Sequence, residues 1–361
     1  MAAAAARVGV TRGFLLGKFM PPHAGHMRLC ETAQALVDRL TILVCWLPGD
    51  PLPGALRLRW MRELFPGARV IGHGEVVPQA PGDHPDFWPI WTAIVRAAHP
   101  EPVDLVFAGE DYGARLAAEL GAGFVEVPRA AAPICATAVR AHPWGEWSSL
   151  PPTVRGHYAR TICLHGPESS GKTVLAERLA RHFGTSWIPE HARAYCLETP
   201  VNALTADDLE TIARRQSAMI AAGRRWCDRR LFADTDALTT AAWSQMLLGH
   251  VPEGVRGHAP ADLYLLLDEE APWIDDGTRV FGQPERRRAF FESCEHVLVE
   301  AGARYVRIGG DWEQRFRACL RAVESLAPPC GPGYTPLLAG AGLGEGVPGG
   351  RSGTEADGHD R

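Results

Sequence analysis

Lysine is almost missing from the 361 residues: of 37 basic side chains only Lys18 and Lys172 carry an ammonium group, and all the others are arginine. Where arginine supplies any generic cation, a retained lysine marks a place that needs a compact point charge with three donors rather than a planar fork. Other absences narrow the class. No apolar run approaches the roughly 20 residues of a membrane-spanning helix, and the N-terminal MAAAAAR is too short for a signal-peptide core. The nine cysteines contain no C-x-x-C pair and no zinc spacing, which leaves reduced, partly buried thiols of a cytoplasmic protein as the expectation. There is no excess of positive charge either. A formal net charge of −5 argues against a general nucleic-acid or membrane surface.

What is present is organised around residues 160–183. Ile162 to Leu164 is a short apolar run, and Gly166 to Thr173 fits G-x-x-x-x-G-K-[ST]. Val174, Leu175, Leu179 and Phe183 then recur at helical spacing. This is a P-loop in its strand-to-helix context. Gly166 and Gly171 let the backbone bend, and with Glu168, Ser169 and Ser170 they present amide groups to phosphate oxygens at a helix N-terminus. Lys172 is expected to reach the β and γ phosphates of ATP, and Thr173 to hold Mg²⁺.

The other lysine sits in a second pattern. The run Gly13 to Gly17 reads as the first strand, and Gly17 to His26 fits G-x-F-x-P-x-H-x-G-H, with Lys18, Phe19, His23 and Gly25 inside it. His23 and His26, three residues apart, fall on one side of a helix entrance beside free amide groups. Further strands are expected at Thr41–Trp46, Asp104–Phe107 and 123–127. A basic amphipathic helix is expected at 57–66, with arginines that are either solvated or ligand contacts. The Pro-rich stretch 78–90 reads as a loop whose nearby Trp88 and Trp91 either pack or offer an aromatic face to a flat heterocycle. Strands alternating with helices imply α/β architecture with mainly parallel sheets.

The first pattern resembles the signature of the nucleotidylyltransferase superfamily, whose H-x-G-H imidazoles stabilise a nucleotide triphosphate during adenylyl transfer. The family's second signature, I-S-x-T-x-x-R, is matched by Ile134, Thr137 and Arg140, while Cys135 stands where serine is usual. A transferase half followed directly by a P-loop half is similar to the NadR-type bifunctional nicotinamide-nucleotide adenylyltransferase and ribosylnicotinamide kinases, over roughly residues 10–325. The resemblance implies a Rossmann-like transferase domain over 8–150 and a P-loop nucleoside kinase domain over 151–327, while the Gly-rich, aperiodic composition of 328–361 predicts a disordered tail. It also implies ATP as co-substrate at both sites, with Mg²⁺. The partners it implies are nicotinamide riboside, nicotinamide mononucleotide and NAD. No helix-turn-helix segment precedes the first strand, so no DNA-binding role is expected. A homo-oligomer is left open.

Within the second half, LFADTDALTTAAW (231–243) reads as a strand ending in Asp234 and Asp236, both pointing the same way along an extended strand end. One would position Mg²⁺ and the other accept a proton from a ribose 5′-hydroxyl, with the assignment open. Asp234 is taken as the metal ligand beside Thr173. The resemblance adds Glu190 and Arg193 as an E-x-x-R substrate element and Arg279 as a phosphate contact from a lid. It also offers Trp273, which either stacks on the nicotinamide ring or lies in the core.

Overall fold

Every strand pair among the described residues is parallel, in two five-stranded sheets. The computed structural model describes residues 9–128, 134–271 and 280–329. The first sheet contains β1 (Arg12–Gly17), β2 (Arg39–Cys45), β3 (Arg69–His73), β4 (Leu105–Ala108) and β5 (Gly123–Glu126), in the order β3-β2-β1-β4-β5. Its helices are α1 (Ala24–Leu36), α2 (Gly54–Leu64), α3 (Phe87–Ala98) and α4 (Tyr112–Leu120). Two short helices follow, α5 (Ala136–Ala141) and α6 (Pro152–Tyr158). Strand order reverses beside β1, so the crevice at its C-terminal end is where ligands bind in such sheets. Gly17 to His26 leaves β1 at that point.

The second sheet repeats the arrangement. Its strands are β6 (Arg160–His165), β7 (Trp187–Ile188), β8 (Arg230–Asp234), β9 (Leu263–Leu267) and β10 (Tyr305–Ile308), in the order β10-β9-β6-β8-β7. The helices are α7 (Lys172–His182), α8 (His191–Tyr195), α9 (Ala206–Gly223), α10 (Ala237–Leu248), α11 (Pro284–Glu300) and α12 (Trp312–Glu324). β6 is central, which is why its run Thr161 to His165 is buried without alternation. The P-loop follows it directly.

Three local expectations need correction. β3 is absent from the sequence reading, because RVIGH is short and interrupted by glycine and histidine; pairing with β2 from Thr41↔Arg69 to Cys45↔His73 makes it a strand. The Pro-rich stretch ends sooner than expected, since α3 begins at Phe87 and carries both Trp88 and Trp91. Val174, read as part of the apolar face of α7, is 58 % exposed, while Leu175, Ala176, Leu179 and Ala180 are buried.

One apolar cluster joins the two sheets. Leu52, Leu56 and Trp60 from the first half pack with Val139, Trp144, Trp147, Leu150, Val154 and Tyr158 from the connecting segment, and with Cys227 and Leu231 from the second half. Arg225 pairs with Glu63 across the same seam. No helix among the described residues is long and apolar enough to cross a membrane.

Candidate active sites

The P-loop geometry follows from its glycines. Gly166 has φ +133°, and a Cβ there would come 2.5 Å from the Leu267 carbonyl oxygen. Gly171, at φ +90°, caps α7, and Ser169 between them also has positive φ. Only glycine holds the first two conformations at low cost. Ser170 is fully buried and donates its hydroxyl to Pro167 O at 2.8 Å. Lys172 folds over the loop, with Nζ donating to Gly166 O at 2.9 Å and Pro167 O at 2.7 Å. The Glu168 carboxylate accepts from Val280 N at 3.1 Å and Phe281 N at 2.9 Å, tying the start of the α11 segment to the loop.

Asp234 and Asp236 do not share an orientation. Thr235 has φ +86°, which ends the extended geometry assumed from sequence. Asp234 accepts a hydrogen bond from Thr173 Oγ1 at 2.5 Å. It is 1 % exposed, and its other oxygen, Oδ1, is buried with no hydrogen-bond partner among the described residues. A buried carboxylate oxygen of this kind beside a P-loop threonine fits a hydrated Mg²⁺. Burial raises the Asp234 carboxyl pKa, against the lowering effect of Lys172 and the Thr173 hydrogen bond.

Asp236 instead caps α10. Its Oδ1 accepts from Leu238 N at 3.0 Å and Thr239 N at 3.2 Å, and its Oδ2 accepts from the Tyr264 hydroxyl. Below it, His165 Nε2 donates to Cys294 O at 3.0 Å; a carbonyl only accepts, so Nδ1 accepts from Thr239 Oγ1 at 2.9 Å. Burial pushes the His165 pKa down to about 3, keeping the ring neutral. Cys163, His165 and Asp236 lie close enough together to suggest a metal site. Both ring nitrogens of His165 are already used, however, and the cluster is a buried polar network.

The cavity beside the P-loop is lined by Glu168 to Val174 and, opposite, by Glu190, Arg193, Gln216, Thr239, Thr240 and Trp243. Glu190 lies two residues past β7, at the start of α8. Burial and the nearby Asp234 charge push its pKa up to about 7, despite Lys172 and Arg193, the latter 3.7 Å away. Gln216, which the sequence reading missed, is 1 % exposed and sets this edge. It donates to Pro189 O at 3.3 Å and Thr235 O at 3.2 Å, and accepts from His191 N at 2.8 Å. A lone glutamine in an amphipathic helix gives no sequence signal for such a role. Trp273 and Arg279 lie outside the described residues.

At the first sheet, His23 caps α1, its Nδ1 accepting from Gly25 N at 3.2 Å. The His23 and His26 rings are 3.9 Å apart, and Phe19, buried with φ +46°, lies 5.0 Å from His26. Gly17 and Gly25 leave room for these rings: a Cβ would come 3.2 Å from Phe19 and 3.1 Å from His23 respectively. Arg140 reaches the same loop, donating to Met20 O at 2.5 Å and Thr137 Oγ1 at 3.1 Å. Cys135 caps α5 in place of serine, its Sγ accepting from Ala138 N at 3.3 Å.

Arg57 differs from both alternatives read from sequence, since it is neither solvated nor open to a ligand. It is fully buried, donates to Lys18 O at 2.8 Å and Cys45 O at 3.2 Å, and pairs with Asp50 at 2.7 Å. Trp91 is also buried, donating Nε1–H to Pro78 O at 2.9 Å, and Trp88 packs edge-on against Phe87.

The comparisons with known proteins cover both sheets. An AAA domain family matches residues 161–315. The trifunctional NAD biosynthesis/regulator protein NadR of Escherichia coli (strain K12) is 27 % identical over 343 residues, covering 88 % of this chain and 83 % of that protein. Its counterpart from Salmonella typhimurium is 26 % identical over 340 residues, covering 87 % and 83 %. The chain is homologous to NadR. Its fold agrees. The crystal structure of NadR in complex with NR superposes with a TM-score of 0.69 at 23 % identity, covering 88 % of this chain and 96 % of that one. NadR with NAD and AMP-PNP gives 0.66 at 21 %, with the same coverage.

Proposed function

We propose that the chain is a two-site enzyme of NAD biosynthesis, with a ribosylnicotinamide kinase over residues 151–327 and a nicotinamide-nucleotide adenylyltransferase over 8–150. The observation that carries the reading is a P-loop whose Thr173 is hydrogen-bonded to Asp234 and which lines one cavity together with Glu190. Homology to NadR supports nicotinamide riboside and ATP as the substrates.

In the kinase site the loop amides and Lys172 hold the donor phosphates and offset the charge that develops on transfer. Thr173 and Asp234 would hold Mg²⁺, which neutralises phosphate charge when bound. Glu190 accepts the proton of the ribose 5′-hydroxyl, a role for which a carboxyl poised near neutrality is suited. Asp236 is left to hold α10 and with it Thr239, Thr240 and Trp243. Arg193 orients the acceptor beside Glu190.

In the transferase site His23, His26, Lys18 and Arg140 gather around one loop and bind the triphosphate of a second ATP. Thr137 adds its hydroxyl. The mononucleotide attacks the α-phosphorus, and pyrophosphate leaves with its charge held by those cations.

The deciding experiment incubates the purified protein with nicotinamide riboside, ATP and Mg²⁺ and separates products over time. Mononucleotide first and NAD later is expected. Mononucleotide alone would remove the transferase from the reading, and neither product would overturn it.

A further inference from the structure

The start of α12 carries a tryptophan that the core does not use. Trp312 is 47 % exposed, although an indole is among the side chains that gain most from burial. Its position is nonetheless defined. A Cβ at Gly171 would come within 2.6 Å of Trp312 Cζ3, closer still to Cη2, and 3.7 Å from Cζ2. Cη2 and Cζ3 form the outer edge of the six-membered ring, so the indole meets the P-loop edge-on and this contact uses neither face. Among the described residues, no aromatic ring or cation stacks on those faces.

The surroundings hold the ring in place. Arg315, one turn along α12, is 2 % exposed, donates to Gly310 O at 2.7 Å and Ser170 O at 3.1 Å, and pairs with Asp268. Glu313 pairs at 2.7 Å with Arg178 of α7, whose guanidinium lies 3.8 Å over Phe316. Val174, one turn before Arg178, is the exposed apolar residue at the start of α7. The polar side chains next to Trp312 are already committed: Asp311 caps α12, Gln314 accepts from Asp311 N, and Glu313 holds Arg178.

Trp312 thus borders the phosphate loop at Gly171, with the exposed Val174 at the start of the same helix. On that basis, and resting on the kinase reading above, we infer that Trp312 is the stacking platform for the base of the phosphoryl donor. Stacking on an exposed indole suits any flat heteroaromatic, and with the neighbouring polar groups engaged it supplies the donor affinity that the phosphates do not. Base–aromatic stacking corresponds to about 5- to 150-fold in affinity.

The test compares wild type, Trp312→Ala and Trp312→Phe in riboside phosphorylation, with tripolyphosphate as a competitor that has the phosphates and lacks the base. Trp312→Ala is expected to raise KM for ATP about 5- to 150-fold, with kcat and KM for the riboside within about twofold. Trp312→Phe should recover most of the loss, and inhibition by tripolyphosphate should be unchanged. An unaltered KM for ATP would overturn the inference. So would an equal loss of tripolyphosphate inhibition, which would mean that Trp312 merely props the loop. ATP binding that disappears in Lys172→Ala reports the P-loop alone, and it too should weaken in Trp312→Ala; equal binding overturns the platform. Failure of the wild type to phosphorylate the riboside instead counts against the acceptor assignment and leaves this binding comparison decisive.

Discussion

Thr173 Oγ1 donates a 2.5 Å hydrogen bond to Asp234 Oδ2, joining the first turn of the P-loop helix to the end of β8. The free Oδ1 of the same carboxylate is the one buried oxygen of the pair with room in its bonding for a ligand. Asp234→Asn should therefore lower riboside phosphorylation about 100-fold or more and raise the Mg²⁺ concentration needed for half-maximal rate. Asp236→Asn should act differently, lowering thermal stability through the cap of α10 without moving the Mg²⁺ midpoint. Initial rates across a Mg²⁺ series separate the two.

Glu190 gives a pH dependence. Its carboxyl is pushed up to about 7, so the basic form is lost as pH falls through that value. Kinase kcat/KM should fall about tenfold per unit on the acid side of 7 and level off above it. In Glu190→Gln the rate should drop by about 10²–10⁴ and the acid limb should vanish. A limb that persists in the glutamine variant would assign the proton transfer elsewhere.

Arg57 is buried with its charge balanced by Asp50 and its donors on Lys18 O and Cys45 O. Arg57→Ala leaves Asp50 uncompensated and should cost about 3–5 kcal/mol of stability. Arg57→Lys should fold better and still show a raised KM for ATP in adenylyl transfer, because one ammonium cannot reach both carbonyls and the carboxylate together. Denaturant unfolding and transferase kinetics on both variants check this.

Acid should destabilise the second half through His165. Its folded pKa of about 3 lies below the 6.5 of a free imidazole, so the unfolded chain binds the extra proton. The contribution is fully present above 6.5 and is lost as pH falls towards 3, on the order of 4–5 kcal/mol over the whole window. Urea midpoints between pH 7 and 4 should decline less steeply in His165→Asn than in wild type.

The P-loop and the H-x-G-H stretch were legible as motifs because glycines, lysine and histidines at fixed spacing have few other uses. The central strands were legible because β1 and β6, buried on both faces, leave continuous apolar runs. Local chemistry hid the rest. Thr235 turns the chain between two aspartates that sequence spacing placed side by side, and a positive φ at a threonine has no sequence signature. The seat of Arg57 depends on carbonyls 12 and 39 residues away in the chain. Val174 is exposed because the buried stripe of α7 runs through Leu175, Ala176, Leu179 and Ala180, and the alanines in that stripe are too weak an apolar signal to fix its position from sequence. Glu190 shows the same limit, since E-x-x-R suggested contact with the acceptor, whereas its raised pKa comes from burial and from the charges of Asp234 and Glu168 on other elements, against the lowering effect of Lys172 and Arg193.

The aromatic seam around Trp60, Trp144, Trp147 and Tyr158 also bears on how such a chain evolves. A cut between α6 and β6 would leave each fragment with a bare apolar patch where the other had been, an aggregation hazard for both. Two reading frames made by dividing this gene would each need new polar residues at the seam before either product stayed in solution, so the two halves are expected to be inherited as one unit.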